Sequence, residues 1–228
     1  LWDSYNNLLL SPDIDRVRKL LCRYELFNMS LPLPGDIVEC GVFKGAGWMY
    51  WLKLLRLYAE GEQKRVVGFD TFGSFADSLL DYEKESAKSF VDEAAFEGID
   101  PIELESTAKD FGFKNCELVS GDVLDTIPEY AKNNPGFRIS LLNLDFDTYK
   151  GTKVALEVLY DYVTPGGIVV LDEYGKRGWG ESDASPLVSM AAYCCPMSHG
   201  NIINIRESLI GESVDAAEDV IHLHAKAI

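Results

Sequence analysis

Three acidic residues, Asp145, Asp172 and Glu173, follow directly on two short apolar runs, Leu141-Leu142-Asn143-Leu144 and Ile168-Val169-Val170-Leu171. Carboxylates are hard oxygen donors and proton acceptors, so three together suit a divalent cation such as Mg2+ or Mn2+, or proton abstraction from a substrate. The intervening sequence says that they do come together. Runs this short, rich in branched residues and bounded by Pro165, Gly166 and Gly167, read as fully buried strands. Between them, Lys150 to Val163 places Val154, Ala155, Val158, Leu159 and Tyr162 at helical spacing. Strand, helix, strand makes a right-handed crossover with parallel strands. Their carboxyl ends then share one edge, where open α/β sheets bind ligands. Three carboxylates there repel one another unless positive charge sits between them, and a hard divalent cation is the natural candidate.

A second group of chemical interest precedes the first. Asp36 to Gly41 reads as a buried strand, followed by Val42-Phe43-Lys44-Gly45-Ala46-Gly47 and a helix to about Glu60. Strand, glycine-rich turn, helix is the general recipe for a nucleotide-like cofactor, because glycines admit close backbone approach and free helix N–H groups receive an anion. The spacing is G-x-x-x-G-x-G rather than the dehydrogenase G-x-G-x-x-G, with Glu39 two residues before the first glycine. Arg65 to Asp70 reads as a second strand ending in an acid, where a ribose hydroxyl pair is usually held; a turn or capping role for Asp70 fits equally. Cys116 to Ser120 reads as a third strand, followed by Gly121-Asp122 and a helix from Val123 to about Asn133.

The remaining chain supplies supports. Ile14 to Asn28 is an amphipathic helix with Val17, Leu20, Leu21, Tyr24 and Phe27 on its apolar positions and Ser11 or Asp13 as cap. Asp81 to Ala95 and Ile102 to Lys109 read as helices within a long section, 73–112, whose length suits a lid over a substrate. Ser185 to Cys195 reads as a helix, and Asn201 to Arg206 and Val220 to Ala225 as strands. Asp147 reads as structural, or as a helix cap with Thr148, and Tyr149, Tyr174, Trp48 and Trp51 as packing residues.

Composition narrows the partners. The 228 residues, 47% hydrophobic, make one ordinary domain with a substantial core. A net charge of -16 and a pI near 4.5 argue against a nucleic-acid partner, since phosphates call for Lys and Arg. No apolar run approaches a membrane span, and no signal peptide or lipidation motif is visible. The sequence starts at Leu1 rather than Met, so a natural N-terminus preceding it is expected. Five scattered cysteines lack zinc-ligand spacing, which points to reduced thiols and a cytoplasmic protein.

Glu39 with the glycine turn, Asp70 and Gly121-Asp122, at the ends of three successive strands, together resemble the S-adenosylmethionine site of the Rossmann-like methyltransferases. The resemblance narrows at Leu144-Asp145-Phe146-Asp147-Thr148-Tyr149, Pro165-Gly166-Gly167 and Asp172-Glu173-Tyr174, supported by VECGVFKGAG and GFDTF. These are similar to the macrocin O-methyltransferase family (the TylF, MycF and NovP group), which methylates hydroxyls of antibiotic sugars. The match runs from about Pro34 to Gly180, and Glu173 stands where the family often carries a second Asp.

The resemblance implies an α/β Rossmann-like methyltransferase fold: a mostly parallel, doubly wound sheet with an antiparallel C-terminal strand, in a single domain over 1–228. Residues 1–34 would be a helical extension and 73–112 the lid. It implies S-adenosylmethionine as cofactor, with Glu39, Gly41, Gly45 and Gly47 near its methionine part, Asp70 at the ribose, and Gly121 and Asp122 at the adenine. It further implies Mg2+ or another divalent cation on Asp145, Asp172 and Glu173, with Asp145 also the catalytic base. The partner would be a small hydroxyl acceptor, a sugar or glycoside, and the N-terminal helix is a candidate interface for a homo-oligomer. Two other readings compete: a glycosyltransferase using Asp145-Phe146-Asp147 as a D-x-D motif, and a non-catalytic binding module on the same fold.

Overall fold

The structure is a computed structural model and describes residues 2–12, 14–59, 64–75, 81–94, 98–172, 191–194 and 201–203. The expectations placed on Glu173, Tyr174, 185–190, Cys195, 204–206 and 220–225 lie outside the described residues.

Among the described residues, seven strands form one sheet. Five are parallel: β1 (Asp36–Cys40), β2 (Val66–Asp70), β3 (Cys116–Ser120), β4 (Ile139–Leu144) and β5 (Val163–Leu171). Two more, β6 (Ala191–Cys194) and β7 (Asn201–Ile203), add antiparallel. The order is β3-β2-β1-β4-β5-β6-β7. The chain therefore winds outward from β1 in one direction through β2 and β3, then crosses back to β4 and continues the other way. The crevice between β1 and β4 is the point where such a sheet opens to a ligand.

Strand alternation sorts the core into two layers. Ile37, Leu141, Ile168 and Val170 face one side, covered by α2 (Asp15–Ser30), α3 (Ala46–Tyr58) and α5 (Pro101–Asp110). Val38, Leu142, Leu144 and Val169 face the other, covered by α6 (Val123–Asn133) and α7 (Tyr149–Leu159). α1 (Trp2–Leu10) is exposed from Asp3 onward, with Tyr5, Leu9 and Leu10 in solvent, and α4 (Asp81–Ala94) completes the elements.

Several expectations change. The buried face of α2 is Cys22, Arg23, Leu26, Phe27 and Ser30, whereas Leu21 is 58% exposed. The helix is amphipathic as expected, with Phe27 buried and Val17, Leu20 and Tyr24 half-buried; Leu21 is the exception, because the inner face carries the cation Arg23, which an apolar count passes over. Ile14, rather than Ser11, occupies its N-cap position, with no side-chain cap bond, and Asp13 lies outside the described residues. α7 ends at Leu159, and a 3-10 turn, Tyr160–Tyr162, leads into β5, which starts before Pro165-Gly166-Gly167 rather than after it. The register shifts between the pairs Ile139–Val163 and Leu141–Ile168, so the Pro-Gly-Gly residues form an irregular bulge within the strand. Ala191–Cys194, expected to be helical, is a strand because it pairs with the free edge of β5, from Leu171 to Ile168. The expected antiparallel C-terminal addition is present, with two such strands among the described residues.

Of the 73–112 section, α5 is scaffold. It is the crossover between β2 and β3, capped by Asp100, whose side chain accepts from the Ile102 N–H. Its Glu105 accepts from the Leu118 N–H of β3 (2.9 Å). Leu104 lies against Gly45, where a Cβ would come within 2.7 Å of its Cδ2, so α5 also braces the glycine turn.

Candidate active site

The carboxyl ends of β1, β4 and β5 carry Glu39, Asn143, Asp145 and Asp172. Glu39 and Asn143 are register partners, and the Asp172 N–H bonds the Leu144 carbonyl (3.0 Å), so all four belong to one corner of the sheet. The expected convergence of Asp145 and Asp172 is present. What lies between them is Lys19, from α2. Its ammonium donates to Asp145 Oδ2 (2.9 Å) and Asp172 Oδ2 (2.8 Å). One turn on, Arg23 donates to Glu39 Oε1 (3.1 Å) and Asp145 Oδ2 (3.3 Å), and its guanidinium lies over the Trp51 ring at 5.5 Å. The repulsion among the acids is thus relieved by two side chains of the N-terminal helix.

Lys19 and Arg23 were not singled out in the sequence, and neither was Asn143. The available signals were modest. Lys19 and Arg23 sit at i, i+4 on the helix that precedes the sheet, and Asn143 interrupts an otherwise apolar strand.

Electrostatics follow from burial. Glu39 is 1% exposed, and burial lifts its carboxyl from 4.5 to about 7; the charges of Asp145 and Asp172 push the same way, against the pull of Arg23. Asp172 rises from 3.8 to about 6, through burial first and the Asp145 charge second. For Asp145 burial works upward too, but Lys19, Arg23 and the hydrogen bonds outweigh it and hold the group below its ordinary value. Lys19 is raised: burial would lower it, and the two aspartates overcome that. Of the acids, Asp145 is therefore the one whose neighbours hold it below its ordinary value, while burial pushes Asp172 and Glu39 up.

The sign of the pH dependence follows. Glu39 and Asp172 bind protons in the folded state at pH values where the unfolded chain has released them. Their contribution is complete below about pH 4 and is lost as pH rises through about 6 and 7. The effect of Glu39→Gln on the metal-free melting temperature should therefore be more favourable at pH 8 than at pH 5. Melting curves across that range check it, and an equal effect at both values would exclude Glu39 as the titrating group.

The glycine turn is built around this cluster. Gly41 has φ +89°, and a Cβ there would stand 1.9 Å from the Asp145 carbonyl oxygen, so β1 and β4 can approach only with glycine present. A Cβ on Gly47 would meet Glu39 Oε1 at 2.1 Å and Arg23 Nη1 at 2.2 Å. Gly45, at φ +85°, is the N-cap residue of α3. Gly41 and Gly47 thus have structural duties to the acidic cluster, whatever ligand the turn also receives.

Asp70 ties two turns together. One oxygen accepts from the Phe43 N–H and the other from the Phe72 N–H, each at 2.8 Å, and both phenylalanines have positive φ. The turn role is observed, and a carboxylate oxygen keeps a second lone pair for a further donor. Asp122 caps α6 by accepting from the Leu124 N–H (3.0 Å), and Gly121 before it has φ +139°. Asp147 occupies a left-handed turn (φ +56°); the cap position of α7 belongs to Thr148, which makes no side-chain cap bond. Trp48 and Trp51 are fully buried as expected, but Tyr149 is 57% exposed and does not pack into the core. Cys22, Cys40 and Cys116 are free and buried.

Among the described residues, Arg23 Nε, Glu39 Oε2, both amide atoms of Asn143 and Asp172 Oδ1 are buried at this corner with no hydrogen-bond partner. Buried polar groups are nearly always satisfied, so leftover capacity gathered in one place suits a polar ligand. Among the described residues no three His, Cys, Asp or Glu side chains are grouped to hold a metal; Arg23 engages Glu39.

A parallel sheet reversing direction between β1 and β4, a glycine turn after β1 and acids at successive strand ends define a Rossmann-like methyltransferase. Residues 21–181 match the macrocin-O-methyltransferase (TylF) family, and the chain belongs to it. Over 147 residues it is 29% identical to 8-demethyl-8-(2,3-dimethoxy-alpha-L-rhamnosyl)-tetracenomycin-C 4'-O-methyltransferase of Streptomyces olivaceus, covering 62% of this chain and 54% of that one. Mycinamicin III 3''-O-methyltransferase of Micromonospora griseorubida is 26% identical over 148 residues, 62% of this chain and 56% of that one. The crystal structure of CalS11, a calicheamicin methyltransferase, superposes with a TM-score of 0.59 at 30% identity, covering 75% of this chain and 70% of that one. The chain spans about half the length of the curated relatives it matches. No described helix is long and apolar enough to cross a membrane.

Proposed function

We propose that this protein transfers a methyl group from S-adenosylmethionine to a hydroxyl of a sugar or glycosylated natural product, with a divalent cation at the acidic edge. The observation that carries the reading is the place of Asp145. It is partly exposed, its carboxyl is held below its ordinary value by Lys19 and Arg23, and it lies directly against the glycine turn at the reversal point of the sheet. Two relatives similar to this chain are O-methyltransferases by name, one of them of a rhamnosyl-tetracenomycin.

S-adenosylmethionine, when bound, supplies an electrophilic methyl group on sulfur. The residues that would hold it are the turn Gly41–Gly47 and Glu39 for the methionine part, Asp70 for the ribose, and Gly121 and Asp122 for the adenine. The unpartnered atoms of Glu39 and Asn143 fit its polar end. Asp145 accepts the proton of the acceptor hydroxyl, which turns a poor nucleophile into a competent one. The fold holds acceptor and donor on one sheet edge, and such orientation is a large part of the rate gain. α4, the part of 73–112 that is not scaffold, is the candidate lid.

Mg2+ or a similar cation fits the two described oxygen donors, Asp145 and Asp172, the second of which keeps an unpartnered Oδ1. Glu173 would be the third ligand. The cation would lower the pKa of the acceptor hydroxyl.

The test is methyl transfer from labelled S-adenosylmethionine to a panel of deoxysugar glycosides and nucleotide-linked rhamnose, with and without chelator. Transfer that requires added Mg2+ or Mn2+ is expected. Undiminished transfer in excess chelator removes the cation from the reading, and absence of S-adenosylmethionine binding by calorimetry removes the reaction.

A further inference from the structure

We propose that Lys19 is a built-in counter-ion of the Asp145–Asp172 pair that exchanges with the divalent cation, so that the pair holds the ammonium or the metal but not both. The proposal rests on the metal reading given above. It stands on three observations.

The first is position. Asp145 Oδ2 and Asp172 Oδ2 both point at Lys19 Nζ, at 2.9 and 2.8 Å. A hard dication sits about 2.1 Å from its oxygen ligands. Held by these same two oxygens, it falls in the wedge the ammonium fills, and the like charges repel.

The second is freedom to leave. Lys19 reaches the pair on a long stem and stays 19% exposed at its side chain, so its head can swing to water. Arg23 cannot. It is 7% exposed, bonded to Glu39 and seated over Trp51. The exchangeable cation is therefore Lys19, and Arg23 is the fixed one.

The third is connection. Lys19 is one turn before Arg23 on α2, so its release unties the start of that helix from the carboxyl edge while Arg23 keeps the rest docked. Metal occupancy is thereby communicated to the N-terminal helix.

Two measurements on the full chain decide the matter. Mn2+ binding is read from the electron paramagnetic resonance of the free ion for wild type, Lys19→Met and Lys19→Arg. Lys19→Met should bind at least about tenfold tighter than wild type, and Lys19→Arg no tighter, because it keeps the competing charge. On the wild type alone, Lys19 reductive methylation is followed by mass spectrometry as Mg2+ is added, and labelling should rise several-fold at saturation. If Mn2+ binds wild type and Lys19→Met equally, or Lys19 labelling is unchanged while Mg2+ binds, the exchange is wrong and the metal site stands. If no variant binds Mn2+ at millimolar concentration, the metal reading fails and takes the exchange with it. Should Lys19→Met not fold by circular dichroism, the wild-type labelling decides.

Discussion

Asp145→Asn should lower methyl transfer by roughly 10²–10⁴-fold while S-adenosylmethionine still binds, a loss typical of removing a positioned general base. Three features make Asp145 the residue to change. It follows β4 directly; its N–H bonds the Cys40 carbonyl (2.8 Å), which fixes the turn; and Lys19 and Arg23 hold its carboxylate charged. Asn has the same shape and still offers an oxygen to Lys19, but it neither takes a proton nor carries the charge. The pair Lys19–Asp172 and the pair Arg23–Glu39 both survive the change, so the fold keeps its anchors. Steady-state kinetics, cofactor titration and a melting curve on one preparation separate the outcomes. Turnover within tenfold of wild type would show that another group takes the proton, while loss of cofactor binding and of the melt together would mean misfolding.

Gly41→Ala should cost about 4 kcal/mol or more, at the severe end for single substitutions. For a chain of this length that lowers the melting temperature by roughly 10 °C. Two penalties coincide. The residue has φ +89°, which strains any side chain, and the added Cβ would stand 1.9 Å from the Asp145 carbonyl oxygen, a backbone atom that cannot turn aside. Relief requires β1 and β4 to separate where the Asp145 N–H bonds the Cys40 carbonyl, while the Gly41 N–H is tied on its other side to the Phe69 carbonyl of β2. Gly73→Ala is the matched control, since nothing lies within 4 Å of a Cβ there. A Gly41→Ala protein melting within about 2 °C of the control would contradict the geometry.

Much of this was legible in the sequence because local patterns coincide with what the sheet requires. β3 and α6 fall on their expected spans, and β1, β2 and β4 within a residue or two, since branched apolar runs between turn residues have few alternatives. The convergence of Asp145 and Asp172 follows from the handedness of a crossover, a rule needing no coordinates. Failures came where a partner decided. Ala191–Cys194 has no strand composition and becomes a strand because β5 offers an open edge. On the inner face of α2 only Leu21 departs from expectation, because Arg23, which is 6% exposed, takes the inward place that an apolar count gives to a leucine.

The sequence by itself determined the fold class, the order of chemistry along the sheet edge and the identity of the acids, because periodicity and chirality are properties of short stretches. Only the tertiary structure decided what neutralises those acids. Lys19 and Arg23 lie 126 and 122 residues from Asp145 in the chain. No local pattern encodes a contact of that range; it exists because α2 packs its inner face on the sheet beside the β1–β4 crevice, where buried carboxylates must find positive charge.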